Sequence, residues 1–260
     1  MPADVDVYVI DLDRHDVDPE RLLALLGDEE IERAQRFRTH TDRRRYVARH
    51  AGLRVLLARY LSVPPPSLSF CTNAFGKPFL AGGDLHFSLS HSAGAALVAI
   101  ARGRELGCDM ERRDPAFPAL DVAEAFFSPF ESRCLRELDA SLQLEAFFNC
   151  WTRKEAYIKA RGCGLSIPLD SFDVSLAPGE PARLLSGCAG WSVQSFEPMT
   201  GFHAAVVAQS ADWRLDIRAF DLAAAIAASP NGAPDHGVHP TSSVWMRCRS
   251  RAAPFERPLV

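Results

Sequence analysis

The sequence contains no apolar run approaching the roughly 20 residues needed to cross a bilayer. It also lacks an excess of positive charge. Its 29 Lys and Arg stand against 33 Asp and Glu, for a formal net charge of −4. That balance disfavours general nucleic-acid binding, which calls for a basic surface. The cysteines (Cys71, Cys108, Cys134, Cys150, Cys163, Cys188 and Cys248) are odd in number, scattered and without a C-x-x-C pair. A disulfide framework or zinc site is therefore not expected, and reduced, mostly buried thiols are. There is no G-x-x-x-x-G-K-[ST] loop and no G-x-G-x-x-G fingerprint, so the common nucleotide folds are disfavoured. The G-x-S-x-G elbow of many hydrolases is missing too. The start, Met1-Pro2-Ala3-Asp4-Val5-Asp6, is acidic and has neither the basic residues nor the apolar stretch of a secretory signal. A soluble, cytoplasmic protein is expected.

What is present reads as mixed α and β. Hydrophobic content of 47% and charged content of 24% are ordinary for a globular protein. Partial alternation over 6–11 predicts an opening strand, and helical patterns follow over 27–37 and 42–61. Pro64-Pro65-Pro66 stops the second helix. Strands are predicted over 86–91 and 95–101, joined by Ser92-Ala93-Gly94. A second series begins after Arg102-Gly103-Arg104. It comprises a short strand at 107–111, a helix over 122–127, and a helix opened by the capping box Ser128-Pro129-Phe130-Glu131. A long helix over 142–161 ends at Gly162 and Gly164, and strands are predicted over 172–176, 191–196, 203–208 and 213–220. The order strand, helices, strands thus occurs twice, which predicts two similar α+β lobes over 1–104 and 105–222. From 223 to 260 the pattern is lost, and a disordered tail is expected.

Residues four apart on a helix stack above one another, so Phe147, Trp151, Glu155 and Lys159 form one row. Its lower half is aromatic and its upper half is charged, as in a helix running out of a core into a polar cleft. Glu155 and Lys159 read either as a metal ligand with an acid/base partner or as an ordinary i,i+4 pair. In Gly107-Cys108-Asp109-Met110-Glu111, strand alternation sends both carboxylates to one face. They suit Mg²⁺, which takes oxygen ligands beside phosphates, or they line a solvated strand edge. In Phe87-Ser88-Leu89-Ser90-His91-Ser92, Ser88 and Ser90 share a face; Ser90 and His91 suit a phosphate or an ordinary strand end. Lys77, held between Gly76 and Pro78, is fixed in direction, which suits contact with an anion. Among the arginines of 33–59, one or two aimed at a cleft would match phosphate oxygens.

Taken in order, these segments resemble the 4′-phosphopantetheinyl transferases of the two-lobed, surfactin-synthetase-activating type. The resemblance rests on Phe75-Gly76-Lys77-Pro78, the serine-histidine strand, Gly107–Glu111, Phe126-Phe127-Ser128, Trp151–Lys159 and Gly162-Cys163-Gly164-Leu165-Ser166-Ile167-Pro168-Leu169. It spans residues 20–210. It implies two α+β lobes packed face to face as a pseudo-dimer, with coenzyme A in the cleft between them. It also implies transfer of the 4′-phosphopantetheine arm to a serine of an acyl or peptidyl carrier protein, with Mg²⁺ required and adenosine 3′,5′-bisphosphate released. By resemblance, Asp109, Glu111 and Glu155 hold the metal, Glu155 is the base, and Lys159 stabilises the leaving phosphate. Lys77, Ser90, His91 and Lys154 would contact the coenzyme, and Arg33 with Arg45 or Arg49 its 3′-phosphate. The family often has lysine where this chain has Glu30. A monomer is expected, with no nucleic-acid or membrane partner. The helix over 42–61 is a candidate surface for an acidic carrier. The competing readings are a Mg²⁺-dependent phosphohydrolase and a non-catalytic module binding coenzyme A or a carrier.

Overall fold

The computed structural model describes residues 3–14 and 17–228. Of the tail expected over 223–260, the part beyond residue 228 lies outside them. Strand β5 (Ala95–Arg102) is buried on both faces, and this organises the molecule. Its Ala96, Val98 and Ile100 pack toward helix α3 (His40–Leu61). Its Ala95, Leu97, Ala99 and Ala101 instead meet residues of β6 (Leu106–Arg112) and β10 (Phe202–Gln209). A strand read as continuous Ala-Ala-Leu-Val-Ala-Ile-Ala, with no polar alternation, is what two-sided burial requires.

Around β5 lies a four-stranded sheet in the order β11-β1-β5-β4, with β1 at Ala3–Asp11, β4 at Leu85–Ser92 and β11 at Trp213–Ala219. A three-stranded sheet in the order β6-β10-β9, with β9 at Trp191–Phe196, packs against it. On the outer side of the second sheet lies α6 (Ala140–Arg161), whose core includes Ala205 and Val207. The layers are therefore helix, sheet, sheet, helix, with an apolar seam of Val5, Val7, Leu97, Cys108, Met110 and Val206 between the sheets. Smaller elements complete the fold. Helices α1 (Pro19–Leu23) and α2 (Asp28–Gln35) pack on α3, and β2 (Phe70–Thr72) with β3 (Pro78–Leu80) forms a hairpin. Helices α4 (Ala119–Phe126) and α5 (Pro129–Glu137) lie beside α6, while β7 (Asp173–Val174) pairs with β8 (Leu184–Ser186).

The α+β class is as expected. The division at 105–222 needs correction, because the chain crosses back. β11 runs parallel to β1, with Ala3 opposite Trp213, and α7 (Leu222–Ala227) packs onto α3. Parallel neighbours require a long crossover, and here the second sheet and its helices supply it. Residues 213–227, expected in the second lobe and the tail, thus complete the first sheet and its helical layer. Alternation marks a strand but does not name its partner.

Candidate active site

Helix α6 starts at Asp139, whose carboxylate accepts the Ser141 N–H, and stops at Gly162 in the left-handed region, φ 64°. Between Cys150 and Ala160 only Trp151, Glu155 and Lys159 are half-exposed, and every residue between them is buried. The row is thus the one line of this stretch that reaches solvent. Its foot is aromatic: Phe147 stacks on Trp151 at 5.8 Å and on Phe127 at 5.2 Å between ring centroids.

Gly107 sets how closely β6 approaches this helix. A Cβ placed there would stand 2.1 Å from the Ala160 nitrogen and 2.3 Å from the Ala156 oxygen. Only a glycine allows backbone to lie on backbone at that distance. The contact brings Asp109 to the upper end of the row. The Lys159 ammonium donates to Asp109 Oδ1 at 2.6 Å and to Ser90 Oγ at 3.0 Å, and Ser90 donates to the same Asp109 oxygen at 2.7 Å. Asp109 is wholly buried while Lys159 keeps 23% of its side-chain surface, so the ammonium is the solvent-facing member. Buried charge is tolerated when paired and hydrogen-bonded in this way.

Glu111 lies two residues along β6 on the helix-facing side, with His203 of β10 opposite it. His203 stacks on Phe148 and bonds Asn149 Oδ1 through Nδ1 at 3.1 Å; burial lowers its pKa, so it is held toward the neutral form. Asp109, Glu111 and Glu155 form an all-oxygen donor set on two elements packed together, and that chemistry suits a hard divalent cation. Their side chains are not gathered: among the described residues, no three His, Cys, Asp or Glu side chains converge closely enough to hold a metal ion. Burial pushes the Cys108 thiol up to about 11 and the Cys150 thiol well above its usual value, so neither is poised as a nucleophile.

Three expected coenzyme contacts stand elsewhere or are already engaged. Lys154 is completely buried, ion-paired to Glu131 at 2.7 Å. It also donates to the Leu169 carbonyl at 2.6 Å and the Phe172 carbonyl at 2.5 Å. Glu131 in turn accepts the Ser128 and Val174 N–H groups at 3.0 and 2.8 Å. Lys154 is therefore a core tie among α5, α6 and the segment before β7, with no surface left for a ligand. The Lys77 ammonium donates to Glu105 Oε2 at 3.2 Å and to the carbonyls of Leu106 and Ala160, each at 3.1 Å. All three of its donors are thus used within the protein. With Asn73, which donates to the Gly162 carbonyl at 2.6 Å, it latches the β2–β3 hairpin onto the end of α6. Ser90 already uses its one donor and both lone pairs, because Met110 N–H also donates to it at 3.3 Å.

The arginines expected at the coenzyme stand on α2 and α3. Arg45 grips Asp13 through two bonds of 2.8 and 2.6 Å, and the pair rests against the backbone of Gly94, just past His91. The hydrogen bond from Arg45 lowers the Asp13 pKa, and the same bond raises that of Arg45. Arg33 and Arg49 sit over the Tyr46 ring, 6.0 and 4.8 Å from its centroid. Glu30 is turned inward, bonded to His50 Nδ1 at 3.0 Å and Arg54 Nε at 2.5 Å. Reading the sequence alone misses Glu131, Glu105 and Asn73. The capping box does single out Glu131, but as a cap.

Residues 105–214 match the family model described as the 4′-phosphopantetheinyl transferase superfamily. The chain is similar to the 4′-phosphopantetheinyl transferase HetI of Nostoc sp., at 36% identity over 82% of this chain and 91% of that protein. It is likewise similar to the 4′-phosphopantetheinyl transferase Sfp of Bacillus subtilis, at 31% identity over 81% and 95%. A third relative, the 4′-phosphopantetheinyl transferase psf-1 of Bacillus pumilus, is 34% identical over 64% and 70%. With the α+β layers and the charged row described above, these matches establish that the chain belongs to the 4′-phosphopantetheinyl transferase superfamily and is a transferase.

Proposed function

We propose that this protein moves the 4′-phosphopantetheine arm of coenzyme A onto a serine of an apo acyl or peptidyl carrier protein. The carrier serine oxygen bonds to the phosphorus that bears the pantetheine arm. The bridging P–O bond breaks, and adenosine 3′,5′-bisphosphate leaves with the bridging oxygen. The cluster of Lys159, Asp109 and Ser90 at the open end of the aromatic row is the observation that supports this reading best, beside the family itself. Glu155, one turn below Lys159 on the half-exposed line, takes the serine proton in this reading, directly or through a water. Lys159 supplies positive charge, and a proton, to the departing phosphate. The Asp109 carboxylate fixes the direction of that ammonium, which otherwise has a long flexible stem.

Asp109, Glu111 and Glu155 would hold Mg²⁺ only once their side chains, which are not gathered here, turn toward one point. When bound, the ion neutralises pyrophosphate charge. Arg45, beside Gly94 at the end of the serine-histidine strand, and Arg33, over Tyr46, would with His91 take the coenzyme's remaining phosphates. The protein acts as a cytoplasmic monomer in this reading. Among the described residues no helix is long and apolar enough to cross a membrane.

The test is to incubate the protein with coenzyme A, Mg²⁺ and an apo carrier protein, then weigh the carrier by mass spectrometry. A carrier that gains a phosphopantetheine arm, and no longer does so with Glu155→Gln or Asp109→Ala, supports the proposal. Coenzyme A breakdown with no carrier gaining mass would favour a hydrolase, and binding without turnover a non-catalytic module.

A further inference from the structure

Strand β6 is the end strand of its sheet. One edge pairs with β10, which leaves the other edge's N–H groups without a strand partner. Buried N–H groups are costly unless they find acceptors. Here three serines of β4 provide acceptors, two at buried amides and the third at the exposed end of the strand. Ser88 Oγ accepts the Cys108 N–H at 3.0 Å, Ser90 Oγ the Met110 N–H at 3.3 Å, and Ser92 Oγ the Arg112 N–H at 3.1 Å. The serines recur every second residue, and so do the amides they cap. Two strands of different sheets are thereby zipped through hydroxyls.

We propose that this hydroxyl ladder holds the carboxylate strand in register, and that Ser88 and Ser92 are positioning residues for transfer. Because strand side chains alternate, a slip of one residue would turn Asp109 and Glu111 away from α6 altogether. The middle rung reports directly on the site, since Ser90 Oγ also meets Asp109 Oδ1 and the Lys159 ammonium. The outer rungs are bonded to the β6 amides of Cys108 and Arg112, so their effect on the chemistry is read through β6. The apolar seam between the sheets has no direction of its own, whereas hydrogen bonds at a fixed spacing do. The inference rests on the proposed role of Asp109, and the experiment separates the two.

The experiment compares Ser88→Ala/Ser92→Ala with Ser88→Thr/Ser92→Thr, which keeps both hydroxyls. Amide hydrogen exchange at Cys108 and Arg112 reads the ladder itself; transfer kinetics read its consequence. In the alanine pair both amides exchange faster, and kcat falls about a hundredfold, the cost of misplacing reacting groups by about 1 Å. The KM for coenzyme A stays within about threefold, because uniform binding is untouched. The threonine pair restores both readouts. Faster exchange with unchanged kcat overturns the proposal, as does a rise in KM alone or unaltered exchange. Should the alanine pair not fold, Ser92→Ala alone at the outer rung is held to the same expectation at Arg112. Wild-type transfer by Asp109→Ala would instead sink the carboxylate reading while leaving the ladder measurable by exchange.

Discussion

Replacing Lys154 by methionine separates two accounts of the Lys154-Glu155 pair in the motif. Lys154 has no exposed surface, pairs with an equally buried Glu131 at 2.7 Å, and donates to two backbone carbonyls. Methionine fills much of the same volume, so the main loss is the charge. Glu131 would remain in the core with only the Ser128 and Val174 N–H groups to hold it. Removing one partner of a buried pair costs about 3–5 kcal/mol. That is a large part of the 5–15 kcal/mol that keeps a typical protein folded. For a chain of this size it lowers Tm by roughly 6–20 °C. Urea unfolding of Lys154→Met, Glu131→Gln and the double variant supplies the measurement. The double variant should recover about 0.5–3 kcal/mol of the summed single losses, because its two sites form one network. A Lys154→Met protein within about 1 kcal/mol of wild type, yet with a tenfold higher KM for coenzyme A, would refute the core-tie assignment and restore the coenzyme contact.

Further expectations follow from the same contacts. Gly107→Ala inserts a methyl group against the Ala156 and Ala160 backbone, which cannot yield. It should abolish transfer and lower Tm, and a variant with wild-type activity would contradict the close strand–helix approach. Lys77→Met removes the lysine half of the latch between the hairpin and the end of α6, leaving Asn73. A fall in kcat with little change in the coenzyme A KM is expected; the reverse split would return Lys77 to the phosphates. Burial lowers the His50 pKa, and the nearby Arg49 charge lowers it further against the opposing Glu30 bond. The unfolded chain therefore takes up a proton before the folded one does, and stability present above the ordinary histidine pKa of about 6.5 is lost as pH falls below it. His50→Gln should flatten that slope in urea titrations between pH 7.5 and 5.5, and an unchanged slope would refute the assignment.

Much of the site was legible because it is local. Spacing of four residues predicts the line Trp151, Glu155 and Lys159, which is the half-exposed line of α6 between Cys150 and Ala160. Alternation predicts that Asp109 and Glu111 leave β6 on one side, and Gly107 on that side meets the helix backbone. What escaped depends on contacts between distant segments. Nothing around Lys154 says that its partner is Glu131, on another helix, since both read locally as surface charges. Lys77 between Gly76 and Pro78 has a fixed direction, as expected, but its target is the end of α6, which only the folded chain supplies. β11 has a strand's pattern, yet its return to β1 is set by the space that the second sheet leaves. Charged side chains are ambiguous in sequence for a physical reason: their placement follows the partner and not their own periodicity.

The most direct measurement follows both products of one reaction, the modified carrier by mass and adenosine 3′,5′-bisphosphate by chromatography. Transfer centred on Glu155 and Lys159 predicts that the two rise in equal amounts, and that Glu155→Gln suppresses both together. Adenosine 3′,5′-bisphosphate accumulating without modified carrier, or undiminished transfer by Glu155→Gln, would contradict it.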